Sequence, residues 1–129
     1  MVDQNSFYQR IGGQTAIVAL ANQFYDVMQR DSVASHVLNL HPDNLTRSRK
    51  RLANYLCEWF GGPKLFGEIY VNPEWLKLRH QHLNIGIEER DQWMYCMTTA
   101  MRELNYDEQL QKELTKTFFE VAGFMRTRV

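Results

Sequence analysis

Four histidines are the side chains of this 129-residue sequence best suited to acid–base or metal chemistry: His36, His41, His80 and His82. No two of them stand four residues apart and no HExxH occurs, so the paired-histidine metal site of a single helix is excluded. There is no GxxxxGK[ST] phosphate loop and no GxSxG nucleophile turn, and no GxGxxG follows a strand-like run, which leaves hydrolase and nucleotide chemistry without a motif. Cys57 and Cys96 have no metal or redox spacing; each sits inside an apolar helical pattern and reads as a buried reduced thiol.

His80 closes the run Trp75-Leu76-Lys77-Leu78-Arg79-His80. On a helix Leu76 lies one turn before it, on the same face. A lone histidine on an apolar helical face is ordinarily a hydrogen-bonded core residue. The same arrangement also suits a haem, with one imidazole for the iron and apolar side chains beneath the porphyrin. Trp93 carries an indole N–H that donates and cannot accept, so burial obliges it to find an acceptor. Tyr25 stands beside the apolar positions Phe24 and Met28 as a boundary tyrosine, and His41 alone reads as a loop histidine. His36 and His82 read as solvent-exposed.

The elements that must position these residues are helical. Ala16, Leu20, Phe24 and Met28 recur every four residues and mark a helix from about Gln14 to Arg30. Leu45, Leu52, Leu56 and Trp59 mark a second. Trp93, Met97, Ala100 and Leu104 mark a third, which Trp93 opens. Leu110, Leu114, Phe118, Val121 and Met125 mark a fourth, with Asp107 able to cap it. Gly12-Gly13 separates a short helix near Asn5 to Ile11 from the one that follows. Pro42 disfavours helical geometry at His41, which is expected where a helix starts. Gly61-Gly62-Pro63 stops the helix ending at Phe60. A loop runs from Gly61 to Asn72, and Asn72-Pro73 opens a short helix running toward His80. No segment alternates as a strand. The expectation is a single all-α domain spanning residues 1–129, with four long stripes facing a common core; periodicity leaves a bundle and a globin-like sandwich equally open.

Fifteen basic residues balance fifteen acidic ones, so there is no electrostatic footprint for nucleic acid or an anionic membrane. No apolar run approaches the ~20 residues of a membrane span. The N-terminus lacks a secretory pattern, and together with the unpaired cysteines this points to the cytoplasm.

Taken in order, Phe24-Tyr25, His41-Pro42, Trp59-Phe60-Gly61-Gly62-Pro63, Leu78-Arg79-His80 and Glu89-Arg90-Asp91-Gln92-Trp93 resemble the truncated, two-on-two haemoglobins of group II. The resemblance extends from Phe7-Tyr8 and Ile11-Gly12-Gly13 to the last helix. It implies a two-over-two helical sandwich holding haem b (iron protoporphyrin IX), with His80 as the proximal iron ligand. It implies a distal tyrosine at Tyr25, the variable polar distal position at His41 and the group II tryptophan at Trp93. The distal helix position that is histidine in many longer globins falls at Ser48, and Leu52, one turn later, covers the distal face. Arg79 is then placed to pair with a haem propionate, and Phe66, Trp75, Leu76 and Met97 form apolar walls.

The resemblance implies reversible binding of O2, and of CO or NO, at the sixth iron position. Tyr25, His41 and Trp93 are the candidate donors to the charge that develops on bound O2. A hydrogen bond to a charged partner contributes ~1.5–3 kcal/mol, so each donor slows release about tenfold or more. Slow release argues against rapid O2 delivery and for tight binding, sensing or chemistry. The alternative is an enzyme: oxidation of NO to nitrate, or peroxidase-like turnover of peroxide, with electrons from an external reductase because none is fused.

Overall fold

The computed structural model describes residues 6–62 and 85–124. Among them every regular element is helical. Helix α1 spans Phe7–Ile11; Ser6 caps it, its hydroxyl accepting from the Gln9 N–H at 3.3 Å. Helix α2 follows at Gly13–Arg30. The joint between them is Gly12, whose φ of 123° is a backbone state L side chains rarely adopt.

Helix α2 buries more than a single stripe. Ile17, Leu20, Phe24, Val27 and Met28 are fully buried, and Ala21 and Tyr25 nearly so. The width follows from its partners: α2 packs against both α4 (Thr46–Trp59) and α5 (Ile87–Glu103). Helix α6 (Glu108–Phe124) packs on α5 and contributes Leu110, Leu114 and Phe118 to the same core. Two helix pairs, α2 with α4 and α5 with α6, thus meet through the α2–α5 contact. A short 3-10 turn at Ser32–Ala34 and helix α3 (Ser35–Leu38) bridge the layers, with the Val37 N–H donating to Gln92 Oε1 on α5 at 2.9 Å. Truncating a buried ring such as Phe24 to alanine costs about 3–5 kcal/mol, whereas an exposed ion pair contributes about 0–1 kcal/mol. Packing on α2 therefore dominates the polar contacts at its rim.

The ends of the helices obey the local chemistry. Asp107 Oδ1 accepts from the Leu110 N–H at 2.9 Å, as its place before α6 predicts. Glu89 Oε1 accepts from the Gly86 N–H at 2.7 Å, closing the start of α5. At the end of α4 the Gly62 N–H reaches the Cys57 carbonyl at 2.7 Å. A Cβ on Gly62 would lie 2.3 Å from the Tyr8 ring, so only glycine lets α1 close on this turn. The Tyr8 N–H donates to the Phe60 carbonyl at 3.0 Å in the same contact.

The expected helices agree with α1, α2, α4, α5 and α6 to within a few residues at most ends. Three details differ. His41 lies in the bend after α3 rather than at a helix start, because the chain crosses Pro42 and three more residues before Thr46 begins α4. Leu45 is buried but precedes α4. Trp93 does not open α5: the Gly86–Glu89 cap starts the helix about two turns earlier. The Gly61-to-Asn72 loop beyond Gly62, the Asn72-Pro73 cap and Met125 lie outside the described residues. Cys57 and Cys96 are buried free thiols, and burial pushes Cys96 up to about 12, aided by Asp31. No described helix is long and apolar enough to cross a membrane.

A polar clasp fixes the C-terminal end of α2 to α5. Asp31 accepts from the Tyr95 hydroxyl at 2.6 Å and from Arg30 Nε at 2.7 Å. Arg30 also binds Glu103 at 2.9 Å, and Gln23 Nε2 donates to the same carboxylate at 2.7 Å. The Arg30 and Tyr95 hydrogen bonds hold the Asp31 carboxyl at about 2, below its ordinary value of 3.8. A carboxyl depressed on folding stabilises the fold above its unfolded pKa, and that contribution disappears as pH falls through the folded value. We therefore expect wild type to exceed Asp31→Asn in stability most above about pH 4, with the gap closing toward about pH 2. Urea midpoints of both proteins across that range check this; a gap that stays constant with pH would contradict it.

Candidate functional site

Helix α2 carries consecutive rings, Phe24 and Tyr25, about 100° apart around the axis. Their centroids lie 4.9 Å apart, edge to face. Phe24 turns toward α5, where its ring meets Trp93 at 5.1 Å. Tyr25 meets the ring of His41, beyond α3, at 5.5 Å and nearly perpendicular. The order in space is His41, Tyr25, Phe24, Trp93. Trp93 then leans on Phe118 of α6 at 5.7 Å. Three polar rings from three parts of the chain are thus gathered on one apolar wall, with Phe24 between Tyr25 and Trp93.

Each polar ring has a distinct electrostatic state. Tyr25 is 6% exposed. Burial pushes its phenol well above the ordinary tyrosine range, the Arg49 charge pulls the other way, and Cys96 adds to the rise. The phenol is therefore protonated at any physiological pH and remains a donor. Its hydroxyl makes no hydrogen bond among the described residues, and neither does the indole N–H of half-buried Trp93. His41 Nδ1 lies 2.9 Å from the Val37 carbonyl oxygen. A carbonyl only accepts, so Nδ1 carries the proton. A neutral His41 consequently presents an acceptor lone pair at Nε2, and becomes a second donor only as the imidazolium.

Met97, one turn beyond Trp93 on α5, is fully buried, and Leu52 of α4 packs half-buried against the core. Ser48, one turn before Leu52, is half-buried. His36 is exposed as expected, with Nε2 3.3 Å from Glu88 and Nδ1 3.9 Å from Glu89. His80, Arg79, Phe66, Trp75, Leu76 and His82 lie outside the described residues.

Sequence reasoning passed over Arg49. It stands in the first turn of α4 and reaches across to α2, where Nη1 donates to the Asn22 carbonyl at 2.8 Å and Nη2 to Gln29 Oε1 at 3.1 Å. Nη2 also pairs with Asp26 Oδ1 at 2.8 Å. Its guanidinium carbon lies 5.9 Å from the Tyr25 ring centroid. One signal was available: a cation near a helix N-terminus opposes the helix dipole, and no acidic residue occupies that first turn.

Residues 6–127 match the family model of the bacterial-like globins. The chain is 30% identical over 112 residues to the group 2 truncated hemoglobin YjbI of Bacillus subtilis (strain 168), covering 85% of this chain and 80% of that protein. Among solved structures it is similar to the cold-adapted truncated hemoglobin of the Antarctic marine bacterium Pseudoalteromonas haloplanktis TAC125, with a TM-score of 0.89, 34% identity, and 97% and 100% of the two chains covered. It is similar also to the group II 2-on-2 hemoglobin of Agrobacterium tumefaciens, with a TM-score of 0.88, 29% identity and full coverage of both chains. A globin implies a haem and small gaseous ligands, and the described wall fits a haem's distal face: two donors lacking partners among the described residues stand in apolar surroundings. With this fold, its helix pairs in a two-over-two sandwich and its sequence likeness, the chain belongs to the bacterial-like globins, as a truncated haemoglobin of group II.

Proposed function

We propose that the protein binds O2 reversibly, and CO or NO likewise, on haem b whose iron is held by His80. The observation that carries this reading is the buried, protonated Tyr25 phenol beside His41, with no hydrogen-bond partner among the described residues. An unpartnered hydroxyl so placed is available to donate to a bound ligand. Haem would supply an iron that binds a diatomic ligand. The chain's own residues do the rest. Tyr25 and Trp93 donate to the negative outer end of the ligand. His41, with Nδ1 on the Val37 carbonyl, holds its ring edge-on against Tyr25 at the same wall. Met97, Phe24 and Leu52 keep water from the donors. His80 would hold the iron through one ring nitrogen and give its other N–H to a carbonyl or carboxylate, Arg79 would pair with a propionate, and Phe66, Trp75 and Leu76 would supply apolar walls. The buried thiols Cys57 and Cys96 suit the reducing cytoplasm.

The same donors favour a second reading. Groups that retain O2 also polarise peroxide, so slow release suits oxidation of NO to nitrate or peroxidase-like turnover, with electrons from an external reductase. Nitrate formed by the O2-loaded protein on addition of NO, turning over only when a reductant is present, distinguishes this from storage or sensing.

Two outcomes are expected. Trp93→Phe and Tyr25→Phe each release O2 about tenfold faster in stopped-flow displacement by CO, since each loses one hydrogen bond to a charged acceptor. An unchanged rate in either variant removes that residue from the mechanism. His80→Ala loses the Fe–histidine stretch of the ferrous protein in resonance Raman spectra. Retention of the wild-type band would show that another residue holds the iron.

A further inference from the structure

We propose that Arg49 is a positioning residue for the distal pocket: gripped by α2, its guanidinium stands on the Tyr25 ring, fixes the ring's tilt and strengthens its hydroxyl as a donor. Three features carry this. The first is the grip. Asn22, Asp26 and Gln29 form one stripe of α2, spaced four and three residues apart, and all three bind Arg49. Tyr25 lies between Asn22 and Asp26 in sequence, so the stripe that holds the cation flanks the ring it covers. The second is the approach. At 5.9 Å from the centroid the guanidinium is within reach of the ring's negative face, and its side chain is only 23% exposed, which limits screening by water. A cation there draws electron density from the ring and makes the phenol proton a better donor; the opposition of Arg49 to the effect of burial on Tyr25 has the same sign.

The third is the element that Arg49 joins to α2. The first turns of α4 carry Ser48 and, further on, Leu52, while α2 carries Tyr25. A planar fork with donors to several acceptors sets both the distance and the rotation between the two helices, which a single-point ammonium does not. Arg49 therefore couples the helix that closes the distal side to the ring that donates there.

The experiment uses the purified protein carrying tyrosine labelled with 13C at the ring ζ carbon, the Tyr25 signal being assigned by its loss in Tyr25→Phe. Arg49→Gln is expected to move the Tyr25 resonance and to speed O2 release about threefold. Arg49→Lys, which keeps the charge and loses the fork, is expected to give smaller changes in the same directions. In a Tyr25→Phe background Arg49→Gln is expected to change release by less than twofold, because the hydroxyl through which it acts is gone. An unmoved Tyr25 resonance overturns the inference, as does an equal effect on release with and without the hydroxyl. If Arg49→Gln does not fold, Arg49→Lys decides: a shifted resonance supports the assignment and a wild-type resonance overturns it. Only the release measurements rest on the haem reading. A protein purified without a Soret band defeats that reading and leaves the resonance test of Arg49 standing.

Discussion

Helix α2 packs against two long helices, α4 in its own layer and α5 in the other, and it cannot satisfy both with a narrow apolar stripe. It therefore buries neighbouring positions that an ordinary surface helix would divide between core and water. Phe24 and Tyr25 are such a pair. Phe24 fills the contact with α5, and Tyr25 is driven into the wall beside it although it carries a hydroxyl. The placement of a polar hydrogen in an apolar surface is thus a consequence of how the two layers cross. The bend after α3 then brings His41 against Tyr25, and the cap at Gly86–Glu89 sets the register that brings Trp93 against Phe24.

The electrostatics of the wall favour neutral groups. Burial holds the Tyr25 phenol in its protonated form, the indole of Trp93 has no acid–base chemistry in the relevant range, and the Val37 carbonyl fixes the proton of His41 on Nδ1. Neutral groups avoid the large desolvation cost of a buried charge, while a hydrogen bond to a ligand bearing partial negative charge still contributes ~1.5–3 kcal/mol. Among the described residues the cation that bears on Tyr25 is Arg49, and its charge is matched by Asp26 and by the oxygens of Asn22 and Gln29. It polarises the ring from outside the wall without placing an unpaired charge within it.

Much of the fold was legible because periodicity survives in the sequence wherever a helix has one buried face. Leu20, Phe24 and Met28 repeat at helical spacing and are buried as that spacing predicts. Where the reading failed, a longer-range cause had taken over. Trp93 looked like a helix start because its apolar stripe begins there, yet Glu89 caps the backbone two turns earlier. The 3-10 turn and α3 were not foreseen because Ser32–Leu38 is too short to show a period. Pro42 correctly kept His41 out of a helix but carried no information on which helix would flank it. The gathering of Tyr25, His41 and Trp93 followed only from the family likeness, since the Tyr25–His41 and Phe24–Trp93 contacts, 16 and 69 positions apart, leave no periodic trace. Arg49 was invisible for a related reason: its partners lie on another helix, and an arginine in a polar helical turn looks like solvated surface.

The central claim is that these elements would serve a haem, with the donors on α2 and α5 acting on its diatomic ligand. The most direct test is the absorption spectrum of the purified protein, reduced anaerobically and then exposed to O2. The account predicts a Soret band whose position shifts with O2 and returns when O2 is removed. A protein reconstituted with haem that shows no Soret band, or one whose spectrum does not respond to O2, would contradict it.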